Sequence, residues 1–119
     1  MKYGLMSNIK SLTQFNFYSE IEDTSGHSLV YFSAHACSSC KHLTMVLNEL
    51  HQHDTSLSIF KIDAQQDQAL VSEYDVSHLP ALFLFKDGQY HAELACESRA
   101  ESILKCIESA SQRTAEDAP

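Results

Sequence analysis

Two of the four cysteines, Cys37 and Cys40, are separated by only two serines, and this pair is the strongest candidate for chemistry in the chain. Two thiols at this spacing can close and reopen a disulfide, or they can supply half of a zinc site. They can also be ordinary small buried residues. The other two cysteines, Cys96 and Cys106, have no close cysteine neighbour in the sequence.

The pair stands where an apolar segment gives way to a helical pattern. Leu29 to Phe32 are typical of a central strand because the run is wholly apolar. After Cys40, apolar residues recur on one arc of a helix, at Leu43, Val46, Leu47 and Leu50. A helix N-terminus offers unpaired N–H groups and a positive dipole end, both of which stabilise a thiolate. We therefore expect Cys37 to be the attacking nucleophile.

Cys40 lies one turn further along the predicted helix, at the edge of its apolar arc. At that position it can close a disulfide with Cys37 but is shielded from an outside substrate. Thiol–disulfide exchange passes through a mixed disulfide at the exposed sulfur, which the second thiol then attacks. Cys40 is therefore predicted to be the resolving cysteine.

Histidines on both sides of the pair, His35 and His42, leave metal binding open as an alternative. On a helix, however, His42 lies about 200° around the axis from Cys40, so the two side chains cannot converge on one ion. The sequence contains no second pair of closely spaced cysteines to complete a tetrahedral site, although His78 could approach. The sequence favours redox chemistry without a metal.

The rest of the chain predicts the elements that position the pair. Strands are predicted at 9–12, 28–33, 56–63, 80–86 and 90–94, and helices at 13–22 with Thr13 as N-cap, from Cys40 onward, at 68–74 and around 100–107. Asp87 and Gly88 form a hairpin signal, so the last two strands should be antiparallel. The order β-α-β-α-β-α-β-β-α predicts an α/β fold, with a central mixed β-sheet covered by helices on both faces. We expect one domain over residues 1–108 and a frayed polar tail over 109–119.

Charge and hydropathy narrow the range of partners. The 119 residues carry a formal net charge of -8, which repels nucleic acid and anionic membrane surfaces. The sequence has neither a long apolar run nor a signal-peptide pattern in its first ten residues. We therefore expect a cytoplasmic protein with neither nucleic acid nor membrane as a partner.

From about Ile9 to Ile107 the chain resembles the thioredoxin family. The resemblance rests on the apolar strand over residues 29–34, on the Cys-Ser-Ser-Cys motif followed by Lys41, on residues 60–63 and on residues 76–88. The last segment is similar to the family's loop that carries a cis-proline and leads into a strand and a glycine turn. The resemblance implies the thioredoxin fold.

The resemblance also implies a substrate groove beside the cysteine pair. Pro80 matches the family's cis-proline, and Leu79 matches the residue whose backbone pairs with an extended substrate segment. Ala36 stands where the family usually has Trp, and Cys96 stands where its substrate loop usually has Gly. Together with His78, these residues are the predicted substrate-binding set.

Further residues are expected to tune the thiolate. Ser38 and Ser39 replace the family's usual Gly-Pro, and their hydroxyls can donate hydrogen bonds to the first sulfur. His35 is expected near the site, where an imidazolium favours a thiolate. Lys61 matches a lysine that often stands near a buried acid, although Tyr31 occupies the position of that acid here.

The function implied is that of a protein-disulfide oxidoreductase that contributes to cell redox homeostasis. It would act as a monomer, without a cofactor, on protein disulfides, and a thioredoxin-reductase-like or other thiol donor would recharge it. The alternative is a non-catalytic, thioredoxin-like interaction or redox-sensing module that binds one partner at the cis-proline groove.

Overall fold

The structure is a computed structural model that describes residues 8–119 of the chain, so the first seven residues of the predicted domain lie outside it. Strands and helices alternate, as β1 (Ile9–Leu12), α1 (Phe17–Glu22), β2 (His27–Ser33), α2 (Ser38–His53), β3 (Ser58–Asp63), α3 (Gln68–Glu73), β4 (Ala81–Lys86), β5 (Gln89–Leu94) and α4 (Ala100–Ser111). The element order predicted from the sequence is confirmed. Within the described range, no helix is long and apolar enough to cross a membrane.

One mixed sheet of five strands, in the order β1-β3-β2-β4-β5, carries the fold. β3 is parallel to both of its neighbours, β1 and β2, whereas β4 is antiparallel to β2 and β5 is antiparallel to β4. β2 is therefore the central strand, as its apolar run predicted. Its carboxyl end leads directly into the cysteine pair.

Two hydrophobic clusters cover the two faces of the sheet. Leu29 and Tyr31 of β2 belong to an aliphatic cluster with residues of α2 and α4. Val30 and Phe32 point to the opposite face, into an aromatic-rich cluster with residues of α1 and α3. Leu47 and Leu50 of α2 are fully buried, and burial of each such side chain contributes about 1.5–3 kcal/mol. The helix that begins at the cysteines is therefore firmly anchored.

Helix α1 begins four residues later than predicted, at Phe17 rather than Thr13. The Thr13 backbone N–H donates to Asn16 Oδ1 at 2.7 Å, and the N–H groups of Asn16 and Phe17 donate to the Thr13 carbonyl. A turn therefore precedes the helix, and Asn16 rather than Thr13 is its N-cap. A local side-chain bond of this kind competes with helix formation.

The C-terminal segment differs from the expected frayed tail. Helix α4 continues to Ser111 because Ala110 is buried against the aliphatic cluster. Beyond it, the Glu116 backbone N–H donates to the His91 carbonyl at 2.7 Å, so the tail contacts β5. His91 is buried, and its Nε2 lies 2.7 Å from the Ala110 carbonyl oxygen.

Candidate active site

The first cysteine of the motif is the N-cap of α2. Cys37 has extended backbone angles, φ -133° and ψ 103°, and its Sγ accepts a hydrogen bond from the Cys40 backbone N–H at 3.2 Å. The helix starts at Ser38, so the sulfur takes the place that a serine or aspartate oxygen occupies in an ordinary N-cap. Here unpaired N–H groups and the helix dipole both favour a negatively charged sulfur.

The two motif sulfurs differ in access. Cys37 and Cys40 are joined by a disulfide, and their Cα atoms are 5.2 Å apart. Cys37 is partly exposed, whereas Cys40 is 0 % exposed and lies on the buried face of α2. A substrate can reach only the Cys37 sulfur.

The residues around Cys37 are exposed, and one of them reaches its sulfur. The Ser39 hydroxyl lies 3.5 Å from Cys37 Sγ. Ser38 and Ala36 are both exposed next to the sulfur in the chain. The His35 side chain is also exposed, and its backbone N–H donates to Gln65 Oε1 at 3.3 Å. Of the two serines in the motif, the second is therefore the one whose hydroxyl contacts the Cys37 sulfur.

A polar cavity of 220 Å³ lies behind the pair, between β2, β3 and α2, and Lys61, Asp63 and Thr44 are among the residues that line it. Tyr31, beside Lys61 in the sheet, is fully buried, and its hydroxyl lies 2.7 Å from Thr44 Oγ1. Thr44 Oγ1 in turn donates to the Cys40 carbonyl at 3.0 Å. Burial raises the pKa of Tyr31, although the Thr44 hydrogen bond opposes the rise. The phenol is thus neutral at physiological pH and cannot replace a carboxylate as proton acceptor.

Three of the five predicted substrate residues line one cavity, whereas Ala36 and Leu79 do not line it. The Leu79–Pro80 peptide bond is cis, and Leu79 is half-buried against the aromatic-rich cluster. His78, Pro80 and Cys96 line one cavity of 200 Å³, which we call the groove cavity. Leu43, one turn after Cys40, also lines it and so connects it to the cysteine-bearing helix.

The histidine on the motif helix contacts the loop before α4. His42 Nε2 lies 3.1 Å from the Ser98 carbonyl oxygen, which connects α2 to the loop between β5 and α4. Over residues 8–119, no group of three or more His, Cys, Asp or Glu side chains is arranged to hold a metal ion.

One contact near the groove was missed in the sequence. Cys106 lies close enough to Cys96 for the two thiols to interact. Burial, and then this interaction, raise the pKa of Cys96 to about 12. The only sequence signal for the contact was the predicted helix that follows the last strand and folds back over it.

The thioredoxin family model matches residues 8–109 of this chain. The chain belongs to the thioredoxin family. It is 33% identical over 99 residues to thioredoxin from Chlamydia trachomatis, a match that covers 83% of this chain and 95% of that protein. It is 38% identical over 82 residues to thioredoxin from Staphylococcus epidermidis, covering 68% of this chain and 77% of that protein.

Solved structures show the same fold. Oxidised mitochondrial thioredoxin 3 from Saccharomyces cerevisiae superposes with a TM-score of 0.75 at 24% identity, over 87% of this chain and 99% of that one. The zinc-bound form of human ERp44 gives a TM-score of 0.74 at 22% identity, over 85% of this chain and 31% of that one. The chain has the thioredoxin fold.

Family membership and the cysteine pair together define the activity. The protein is a thiol–disulfide oxidoreductase, and the motif pair is at disulfide distance in its structure. Members of this family act on protein disulfides and receive electrons from reductase partners. The enzyme interpretation of the sequence is therefore confirmed over that of a non-catalytic module.

Proposed function

We propose that this oxidoreductase reduces disulfides in extended protein segments that lie across the groove cavity, with Cys37 as nucleophile and Cys40 as resolving cysteine. The observation that carries the proposal is the asymmetry of the motif. Cys37 combines a partly exposed sulfur with a helix N-cap, whereas Cys40 is fully buried one turn below. Exchange chemistry needs this division between an attacking and a shielded thiol.

The cycle starts from the reduced pair. The Cys37 thiolate attacks one sulfur of the substrate disulfide, and the other substrate sulfur leaves as a thiolate that takes up a proton. Cys40 then loses its proton and attacks the Cys37 sulfur, which releases the second substrate thiol and leaves the Cys37–Cys40 disulfide. Two electrons have passed from the motif pair to the substrate. A dithiol of the reductase type then reduces the Cys37–Cys40 disulfide back to two thiols.

The second step should be the slower one. Tyr31 stands where the family commonly has an acid, and its raised pKa keeps the phenol protonated. In this proposal the proton of Cys40 passes to solvent by way of the polar cavity that Thr44, Lys61 and Asp63 line. A positioned general base typically contributes about 10²–10⁴-fold to such a transfer. We expect the mixed disulfide at Cys37 to be longer-lived here than in a relative with the acid.

Substrate orientation rests on the residues of the groove cavity. The backbone of Leu79, before the cis-proline Pro80, pairs with an extended substrate segment. His78 and Cys96 line the groove cavity in which this segment lies. Ala36 in place of a Trp leaves a smaller apolar platform beside Cys37. The groove thus provides main-chain pairing more than a specific side-chain pocket.

The partners follow from this chemistry. In this proposal the protein acts as a cytoplasmic monomer in cell redox homeostasis. A thioredoxin-reductase-like or other thiol donor reduces it again after each cycle. Its net charge of -8 supports the expectation that neither nucleic acid nor a membrane is a partner. Size-exclusion chromatography and cell fractionation test the monomer and the location.

Insulin reduction coupled to NADPH and thioredoxin reductase tests the proposed function. Wild-type protein should accelerate insulin precipitation, and Cys37→Ser should reduce the rate to background. Cys40→Ser should trap insulin as a mixed disulfide that dithiothreitol releases, whereas Cys37→Ser should trap none. A background rate for the wild type with both reductase and dithiothreitol would contradict the proposal, as would trapping by Cys37→Ser.

A further inference from the structure

Cys96 and Cys106 form a second pair of thiols, ten residues apart in the chain and adjacent in the fold. Cys96 lies in the loop between β5 and α4, and Cys106 lies in the second turn of α4. The two thiols are close enough to interact electrostatically, both pack against the aliphatic cluster, and Cys106 lines a cavity together with Ala95, the residue before Cys96. Both are partly exposed free cysteines. The pair therefore combines neighbouring sulfurs with access for an oxidant, which disulfide formation requires.

The two thiols face different cavities. Cys96 lines the groove cavity, whereas Cys106 lines an open cavity of 370 Å³ that Lys105 and Arg113 also line. Glu93 contributes one carboxylate to both cavities. Around Cys106 two cationic side chains thus stand against one anionic side chain, which favours the approach of a small anionic reagent.

We propose that Cys96 and Cys106 are a second redox-active dithiol, which a small anionic disulfide of the glutathione type oxidises to an intramolecular disulfide. The Cys106 thiolate attacks one sulfur of that disulfide, and the first small thiol leaves with the proton that Cys106 gave up. Cys96 then attacks the Cys106 sulfur, and the second small thiol leaves with the Cys96 proton. Two protein thiols lose two electrons, and one small disulfide is reduced to two thiols.

The order of attack follows from the surroundings. Burial and the interaction with Cys106 raise the pKa of Cys96 to about 12, so Cys96 keeps its proton while Cys106 reacts first. The same effect slows the second attack, and a mixed disulfide on Cys106 should therefore accumulate before the ring closes. The closed bond then ties the loop that lines the groove cavity to α4.

The test uses the full chain carrying Cys37→Ser and Cys40→Ala, in which Cys96 and Cys106 are the only cysteines. The protein is equilibrated in glutathione buffers of increasing oxidised fraction, quenched with acid, alkylated and digested with trypsin. Cleavage after Arg99 and after the other basic residues places the two cysteines on separate peptides, 87–99 and 106–113.

The expected product is a monomer in which peptides 87–99 and 106–113 are disulfide-linked, preceded by a form with glutathione on Cys106. In the same background, Cys96→Ser should stop at that glutathione adduct. The proposal is overturned if both thiols stay free, if they end as separate glutathione adducts, or if they link only between two chains.

The same digest of wild-type protein gives an answer that does not depend on the motif substitutions. Cys37 and Cys40 share one tryptic peptide, 11–41, so their disulfide does not join it to the two diagnostic peptides. Neither digest depends on insulin reduction. Failure of the second dithiol and failure of the proposed function are therefore distinguishable.

Discussion

Cys37 and Cys40 share the first turn of one helix, whereas Cys96 and Cys106 come from a loop and a helix that pack side by side. In the first pair, backbone N–H groups and a helix dipole surround the outer sulfur. In the second pair, an aliphatic cluster and another thiol surround Cys96. The same functional group is thus stabilised as an anion in one place and as a neutral thiol in the other.

This difference shows that proximity of two thiols and reactivity of one are separate properties. A sequence motif can supply both because a helix N-terminus follows the strand directly, as it does at Cys37. A tertiary pair such as Cys96 and Cys106 obtains proximity from packing, and packing also removes the water that would stabilise a thiolate. We expect the first pair to react fast and the second to react slowly.

The largest expected effect is on alkylation of the reduced protein at pH 7. A pKa of about 12 instead of 9.0 lowers the thiolate fraction of Cys96 by about a thousandfold at pH 7. A thiolate with a higher pKa is more nucleophilic, and this offsets about 20- to 30-fold of the loss in rate. Cys37, whose thiolate the N-cap favours, should therefore react with limiting iodoacetamide at least about 30-fold faster than Cys96. Mass spectrometry of peptides 11–41 and 87–99 measures both rates.

The pH dependence provides the control for this contrast. Labelling of Cys96 should rise about tenfold per pH unit between pH 7 and 11, since its thiolate keeps growing below the pKa of about 12. Labelling of Cys37 should level off at a lower pH than labelling of Cys96, because the N-cap position favours the Cys37 thiolate. Equal rates at pH 7, or a plateau for Cys96 near neutral pH, would contradict the assignment.

The second prediction concerns the hydrogen bonds that join Tyr31, Thr44 and the Cys40 carbonyl next to the motif pair. Thr44→Val keeps the side-chain shape but removes the hydroxyl that makes both bonds. Leaving a buried hydroxyl unpaired costs about 1–3 kcal/mol, so the free energy of unfolding should fall by this amount. Urea denaturation of oxidised protein measures it.

Thr44→Ser is the matched control for that substitution. It retains the hydroxyl and should change the unfolding free energy by less than Thr44→Val. Equal losses for the two variants would mean that the methyl group, and not the hydrogen bonds, stabilises this part of α2.

The fold around the motif could be predicted from the sequence because local pattern and tertiary packing agree there. The apolar run of β2 forms the central strand, and the arc of Leu43, Val46, Leu47 and Leu50 faces the sheet. The order of the elements then predicts that the carboxyl end of β2 and the loop before Pro80 lie near each other. The apolar run, the helical arc and the order of elements can all be recognised from residues that are close in sequence.

The features that were missed depend on contacts between distant residues. The packing of α4 on β5 brings Cys106 against Cys96, and no local pattern encodes that contact. The polar composition of residues 109–119 predicts a frayed tail, yet the Glu116 backbone N–H donates to the His91 carbonyl, a contact that composition does not predict. The late start of α1 has a local cause, a competing Asn16 side chain.

The third prediction changes the redox potential of the motif pair alone. The Ser39 hydroxyl lies 3.5 Å from Cys37 Sγ, and its N–H lies in the first helical turn, so both can stabilise the thiolate. Ser39→Pro removes the two donors, and the loss of about 1.4 kcal/mol for one charge-assisted hydrogen bond corresponds to about 30 mV. The potential should become more negative by that amount, as measured by equilibration against glutathione.

Ser39→Ala separates the two contributions because it removes the hydroxyl and keeps the N–H. Its potential should fall between those of wild type and Ser39→Pro. The Cys96–Cys106 equilibrium, followed through peptides 87–99 and 106–113, should not change in either variant. A Ser39→Pro potential equal to or less negative than that of wild type would contradict the role of the serine.

The smallest expected effect comes from His35 and His78, the two exposed imidazoles expected near the motif. A positive charge on an imidazole in water favours a nearby thiolate only weakly, because solvent and salt screen it. The double variant His35→Gln/His78→Gln should therefore slow alkylation of Cys37 by at most about twofold at low ionic strength. At 1 M NaCl the difference should disappear. Cys96, which shares the groove cavity with His78, serves as internal control, since its raised pKa keeps its thiol protonated. A reduction of tenfold or more that persists in salt would instead mean that one imidazole contacts the Cys37 sulfur directly.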